Sequence, residues 1–152
     1  MSRGTLPALE QTRVVQVDEA PNWAAIRFGV DSALWDLRLL RAPLGCTEIG
    51  ISVFRLGARA KFTVGHRHPA GEEIYVLVSG QAEIKIGDSV FALDPMSAVR
   101  VPSHKFRALR NPADELALLI VAGYPQDSAE EVEFAPDFWP ADDDETAVPL
   151  NV

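Results

Sequence analysis

The sequence predicts an all-β domain, a sandwich or barrel of short antiparallel strands. Three observations carry this. Helical periodicity is scarce along the chain. Short apolar, β-branched or aromatic runs recur at intervals of about eight to twelve residues, the spacing of antiparallel all-β folds. Turn residues stand between the runs: Gly80, Gly87-Asp88, Asp94-Pro95, Pro102-Ser103 and Asn111-Pro112.

Taken in order, residues 1–47 are expected to supply N-terminal strands that pack on a barrel: TRVVQV (12–17), AAIRF (24–28) and ALWDLRLL (33–40). Residues 48–124 form the barrel, from EIGISVFRL (48–56) and ARAKFTVGHRH (58–68) through EIYVLVSG (73–80) and QAEIKIG (81–87). SVFAL (89–93), AVRVP (98–102), FRALRN (106–111) and ELALLIVAGY (115–124) complete it. Residues 125–152 are an acidic helix and tail, with QDSAEEVEF (126–134) read as the helix. The stretch APDFWPADDDETAVPLNV is read as extended, with Phe138 and Trp139 pinned to the body. The 152 residues make one domain with a sizeable core.

Composition narrows the function classes. Hydrophobic residues make up 47% and charged residues 24%, as in ordinary globular proteins. No apolar run approaches the length of a membrane span, and MSRGTLPALEQTRVV lacks the apolar region of a signal peptide. A single cysteine, Cys46, excludes an internal disulfide framework and a cysteine-rich zinc site. Cytoplasmic location is the expectation. The net charge of −8 is uneven: up to Arg110, 14 basic residues against 11 acids leave +3, and from Asn111 on, 11 acids without Lys or Arg give −11. No basic stripe offsets ADDDE, so neither nucleic acid nor membrane is an expected partner. The acidic tail itself reads as a solvated terminus.

The strand at 58–68 alternates cleanly. Ala60, Phe62, Val64, His66 and His68 share one face, and Arg59, Lys61, Thr63 and Arg67 the other. The first face should point inward and end in two histidines; the second should meet water. In the next strand Glu73, Tyr75, Leu77 and Ser79 share a face, while Ile74, Val76 and Val78 form an apolar outer face that needs a cover, either N-terminal strands or another subunit. Two imidazoles at i and i+2 with a carboxylate from the adjacent strand make a two-histidine, one-carboxylate set. That set suits Fe(II) and, in other geometries, Zn, Mn, Ni or Cu. Three protein ligands leave positions open for a substrate. The bland alternative is a pair of histidines that bind nothing.

These residues resemble the cupin family. His66, His68, Glu73 after four residues and Gly80 after six more match the first cupin motif, with Ala60 where the motif opens on glycine. In the second motif Pro102 and Asn111 match, whereas Met96, His104 and Arg107 replace two glycines and a histidine. The resemblance covers about residues 48–123. It implies a double-stranded β-helix, or jelly-roll-like, barrel with a site in its mouth. It also implies a divalent metal (Fe, Zn, Mn or Ni) on the motif histidines and glutamate, and a family habit of forming homodimers. The fourth family ligand is absent, since the guanidinium of Arg107 stays protonated and cannot ligate.

Three arrangements follow. His66, His68 and Glu73 hold a metal alone, and Arg107 turns away or binds an anionic substrate. His104, three residues early in its loop, folds inward as a fourth ligand. Or the metal is lost and Arg107 pairs with Glu73 in a polar pocket. Arg107, Tyr75 and Phe62 are the expected contacts for a small-molecule ligand, with Tyr75 also readable as a core tyrosine whose hydroxyl is satisfied. Trp23, Trp35 and Phe54 are expected in the core or a subunit contact. Glu72 is expected in solvent, and Cys46 has no neighbour in the sequence that marks it as a nucleophile. The functional expectation is a metal-dependent dioxygenase or isomerase; the alternative is a non-catalytic ligand-binding or sensor module.

Overall fold

The computed structural model describes residues 12–125 and 132–152. The N-terminal part departs furthest from the sequence reading. Residues 12–16 carry no regular secondary structure and pair with no strand, and Val17–Glu19 form a 3-10 turn. AAIRF is helical, not a strand: α1 spans Trp23–Phe28. Its ends explain why. The Asn22 side chain accepts from the backbone N–H groups of Ala24 and Ala25, and Gly29 closes the helix at φ 67°. This is the Asn cap and left-handed Gly stop that favour a helix over an isolated strand. Asn22 also accepts from the Leu37 N–H at 3.1 Å, which ties α1 to the expected strand at 33–40, β1 (Trp35–Leu39). The short α2 (Arg41–Leu44) follows, ended by Gly45.

The barrel strands lie close to their predicted places. They are β2 (Gly50–Leu56), β3 (Ala60–Lys61), β4 (Gly65–Arg67), β5 (Glu73–Ser79), β6 (Ala82–Ile86), β7 (Ser89–Leu93), β8 (Ala98–Val101), β9 (Arg107–Arg110) and β10 (Ala117–Gly123). The run at 58–68 is thus two strands, each antiparallel to β9, through Lys61 opposite Arg110 and His66 opposite Arg107. One sheet runs β1-β2-β10-β5-β8. The other carries β4 and β3 beside β9, with β6 on β9 and β7 on β6. Gly87-Asp88 is the two-residue turn of the β6–β7 hairpin, with Gly87 at φ 58°. At Gly80, φ 85°, a Cβ would stand 2.5 Å from the Leu116 carbonyl oxygen, so only glycine fits.

Leu56, Leu77, Ile84, Val101 and Leu119 are fully buried in one core with Trp35 and Phe62. A smaller cluster of Ala20, Leu40 and Val53 covers part of the outside of the first sheet. Asn111, the matching residue of the second motif, is structural: its buried amide donates to the carbonyls of Leu56, Gly57 and Glu115 at 2.6–3.1 Å.

The acidic tail is solvated at Asp142–Asp144, as expected, but it is tied to the barrel rather than loose. β11 (Glu133–Ala135) pairs with β4, and β12 (Thr146–Ala147) pairs with β3. Most of the helix expected at 126–134 lies outside the described residues; its end, from Glu133, is strand. Lys61, expected in water, is only 2% exposed beneath this strap. Its Nζ donates to the Pro140 carbonyl at 2.8 Å and to Glu145 Oε1 at 3.1 Å, and lies 4.5 Å from the Trp139 ring centre. Arg110 Nη1 reaches Glu145 Oε2 at 3.3 Å, and Arg110 Nε reaches Glu83 at 2.6 Å. Phe138 and Trp139 pack against the core as expected.

Candidate metal centre and ligand cavity

His66 lies on β4, His68 just beyond it, Glu73 at the start of β5 and Arg107 at the start of β9. The alternation that aims His66 and His68 inward holds, although the strand is broken before them. The ligand atoms of His66, His68 and Glu73 all lie within 4.8 Å of one another. The two rings are 4.9 Å apart at 76°. His68 Nε2 stands 3.2 Å from Glu73 Oε1, and the Tyr75 hydroxyl donates to the same oxygen at 3.2 Å. Gly123 of β10 makes room: a Cβ there would lie 2.8 Å from Glu73 Cγ.

Arg107 is fully buried. Its Nη1 donates to the His66 carbonyl at 3.3 Å, and its Nη2 stops 3.9 Å short of Glu73 Oε1. The contact is an ion pair without a hydrogen bond. His104, in contrast, is exposed in the turn before β9, outside the cluster, where its carbonyl accepts from Arg67. The turn keeps it out: Lys105 N–H bonds back to the Pro102 carbonyl, and the Arg67 guanidinium lies over Phe106.

Burial, with His68 and Arg107 adding to it against the pull of Glu73, lowers the His66 pKa to about 3. The ring is therefore neutral at physiological pH and offers a lone pair. Burial pushes the Glu73 carboxyl up, but the His68 hydrogen bond and the charges of His68, His66 and Arg107 hold it below its usual range. It is therefore ionised. Burial, reinforced by Glu73, raises the Tyr75 hydroxyl well above the ordinary phenol range, so Tyr75 keeps its proton and acts as a donor. Two imidazoles and a carboxylate within reach of one another fit a divalent cation. The buried guanidinium nearby opposes that charge.

The cluster lies on the wall of a cavity of about 610 Å³. Phe62 and Tyr75 line it, as expected for ligand contacts, as do Trp35 and Phe54. Trp23 is half-exposed on the same wall, not a core residue. The sequence reading missed Arg27 of α1 and Arg41 of α2, both on this wall. The signal was there in Asn22 and Gly29, which bracket a helix. Glu72 is exposed as expected and pairs with Arg100.

Two sheets enclosing a cavity, with two histidines and a glutamate on its wall, define a small all-β barrel. The family model described as Cupin domain matches residues 53–123. That is just under half of the chain, and over it the chain matches the cupin superfamily. It is similar in fold to a cupin protein from Bacteroides fragilis (19% identity, 78% of this chain and 88% of that one, TM-score 0.60). It is also similar to a sugar phosphate isomerase of the cupin superfamily from Silicibacter pomeroyi (18% identity, 75% and 85%, TM-score 0.58). A third is a Streptomyces PAC13 variant solved with uridine (10% identity, 85% and 94%, TM-score 0.64). No curated protein matches the chain. Among the described residues no helix is long and apolar enough to cross a membrane.

Proposed function

We propose that this cupin holds a divalent metal, of the Fe, Zn, Mn or Ni type, on His66, His68 and Glu73, and acts on a small molecule in the cavity as a metal-dependent isomerase or dioxygenase. The observation that carries the reading is the convergence of these three ligand atoms within 4.8 Å on the cavity wall. When bound, such a metal supplies Lewis acidity to an oxygen of the bound molecule. The residues do the rest. His66 presents a neutral ring, Glu73 is ionised, and Tyr75 and His68 fix the orientation of its carboxylate. The reading extends to a cytoplasmic homodimer, supported by the exposed Ile74 on the outer face of β5.

A second reading is supported by Arg107. A buried guanidinium 3.9 Å from Glu73 can neutralise it without metal, leaving a binding or sensor module. Metal analysis of tag-free protein by mass spectrometry decides between the two. The metal reading expects near-stoichiometric metal in wild type and its loss in Glu73→Ala. An empty wild type, with metal gained by Arg107→His, overturns it in favour of the second.

A further inference from the structure

The chain carries a net charge of −8, yet the cavity wall has the opposite sign. Arg27, Arg41 and Arg107 line it, and among the described residues Glu73 is the only acid on it. Its polarity is also one-sided. Glu73 Oε1 already accepts from Tyr75 and faces His68. Among the described residues the wall has no Asp, Asn, Gln or Thr, and Ser52 is its one aliphatic hydroxyl. Donors are in excess. Nε and Nη2 of Arg107, one edge of its guanidinium fork, are buried without a hydrogen-bond partner, as is Nε1 of Trp35. Buried donors without acceptors are uncommon in folded proteins. That edge is sealed from the cavity, so Arg107 acts on a ligand through its field: its buried charge sets a positive potential on the wall in front of it.

The rest of the wall is aromatic and aliphatic. Trp35 meets Phe62 edge-on, with ring centres 4.8 Å apart, and Phe54 at 5.3 Å. Phe28, Leu37 and Val121 extend this surface. A sugar ring needs acceptors as well as donors for its several hydroxyls, and this wall offers few. An apolar body needs neither and gains from being removed from water.

Resting on the reading that the cavity takes a small molecule, we propose that it selects an amphipathic anion. The ligand is a carboxylate or phosphate monoester on an aromatic or branched-aliphatic body, held by Arg27 and Arg41 at its charged end, with the buried charge of Arg107 behind them, and by the Trp35–Phe54–Phe62 surface along its body. Polyol phosphates are disfavoured.

The test is isothermal titration calorimetry on the full chain, both chelator-treated and zinc-supplemented. The probes are trans-cinnamate, 1-naphthyl phosphate, cinnamyl alcohol and glucose 6-phosphate. Trans-cinnamate or 1-naphthyl phosphate should bind at least about tenfold more tightly than both the neutral alcohol and the sugar phosphate, the effect of one good charge-assisted contact. Whichever of the two binds identifies the head group. Arg27→Ala and Arg41→Ala should each weaken that binding severalfold and reduce its salt dependence, while Arg100→Ala, at an exposed arginine outside the cavity, leaves it unchanged. Circular dichroism confirms that each variant is folded. The proposal is overturned if the alcohol binds as tightly as the acid, if glucose 6-phosphate binds more tightly than 1-naphthyl phosphate, or if neither aryl anion binds folded protein at millimolar concentration. Metal content is measured on the same samples. An aryl anion bound by metal-free protein that takes up none of zinc, iron(II), manganese or nickel refutes the metal reading and leaves this inference standing; metal uptake without anion binding does the reverse.

Discussion

Substituting Glu145→Gln should unfold the protein more readily, by an amount that the burial of Lys61 sets. Gln keeps the shape and one acceptor oxygen but removes the charge. Lys61, 2% exposed, is then left with the Pro140 carbonyl and the Trp139 ring as its neutral partners. Arg110 loses its second carboxylate and keeps Glu83. Breaking a buried ion pair from one side costs about 3–5 kcal/mol. Lys61 retains two contacts, so the low end applies, about 3 kcal/mol. At about 2–4 °C per kcal/mol for a chain of this size, Tm falls by about 6–12 °C. Urea melts of wild type, Glu145→Gln, Lys61→Met and the double variant measure this, and the double variant should recover at least half of the loss. The pH dependence has a definite sign. Burial pushes the Glu145 carboxyl up, but the Asp142 N–H, Lys61 and Arg110 together hold it below its ordinary value of 4.5. A carboxyl with a depressed folded pKa contributes stability that is fully present above its unfolded pKa and is lost as pH falls through the folded value. The gap between wild type and Glu145→Gln should therefore be constant from neutral pH down to about 5 and close below 4.5. A loss under about 0.5 kcal/mol at pH 7, the value of an exposed pair, would refute the buried-strap argument.

Asn111→Ala removes an amide that donates to three carbonyls inside the fold, and it should cost about 2–4 kcal/mol in chemical denaturation with little change in the m-value. Gly123→Ala puts a methyl 2.8 Å from Glu73 Cγ and 2.7 Å from the Glu72 carbonyl oxygen; metal content should fall while the far-ultraviolet spectrum persists, and unchanged metal content would count against Glu73 as a ligand. Ile74→Asp charges a position that is 47% exposed on the outer face of β5, and light scattering should show wild-type dimer turning to monomer if that face is the dimer contact.

The barrel was legible because β5, β6 and β10 alternate between buried and less buried positions, and the turn glycines mark the corners. The inward pair His66 and His68 was legible for the same reason, a period of two. AAIRF was not, because the six residues of α1 are too few to establish a helical period and its apolar content suits either element. Only the flanking Asn22 and Gly29 carry the signal, and they hid Arg27 and its place on the cavity wall. Lys61 failed differently. Alternation places it on the outer face correctly, but what covers that face is a segment dozens of residues away. No local pattern records that Glu145 and Trp139 return to meet it. His104 was a spacing argument, and spacing alone does not turn a loop inward against the hydrogen bonds that shape it.

The strap also has a consequence in time. Lys61 and Glu145 are 84 residues apart, and β3 and β4 gain their outer neighbours only from β12 and β11. A chain made from its N-terminus displays β3, β4 and the Lys61 ammonium well before their partners exist. Until residue 148 is free, that sheet has an open edge beside two histidines, the kind of surface that recruits other strands. Completion of the barrel is therefore a late event governed by long-range closure. Anything that slows synthesis between Lys61 and Glu145 lengthens the interval in which this protein is exposed to aggregation.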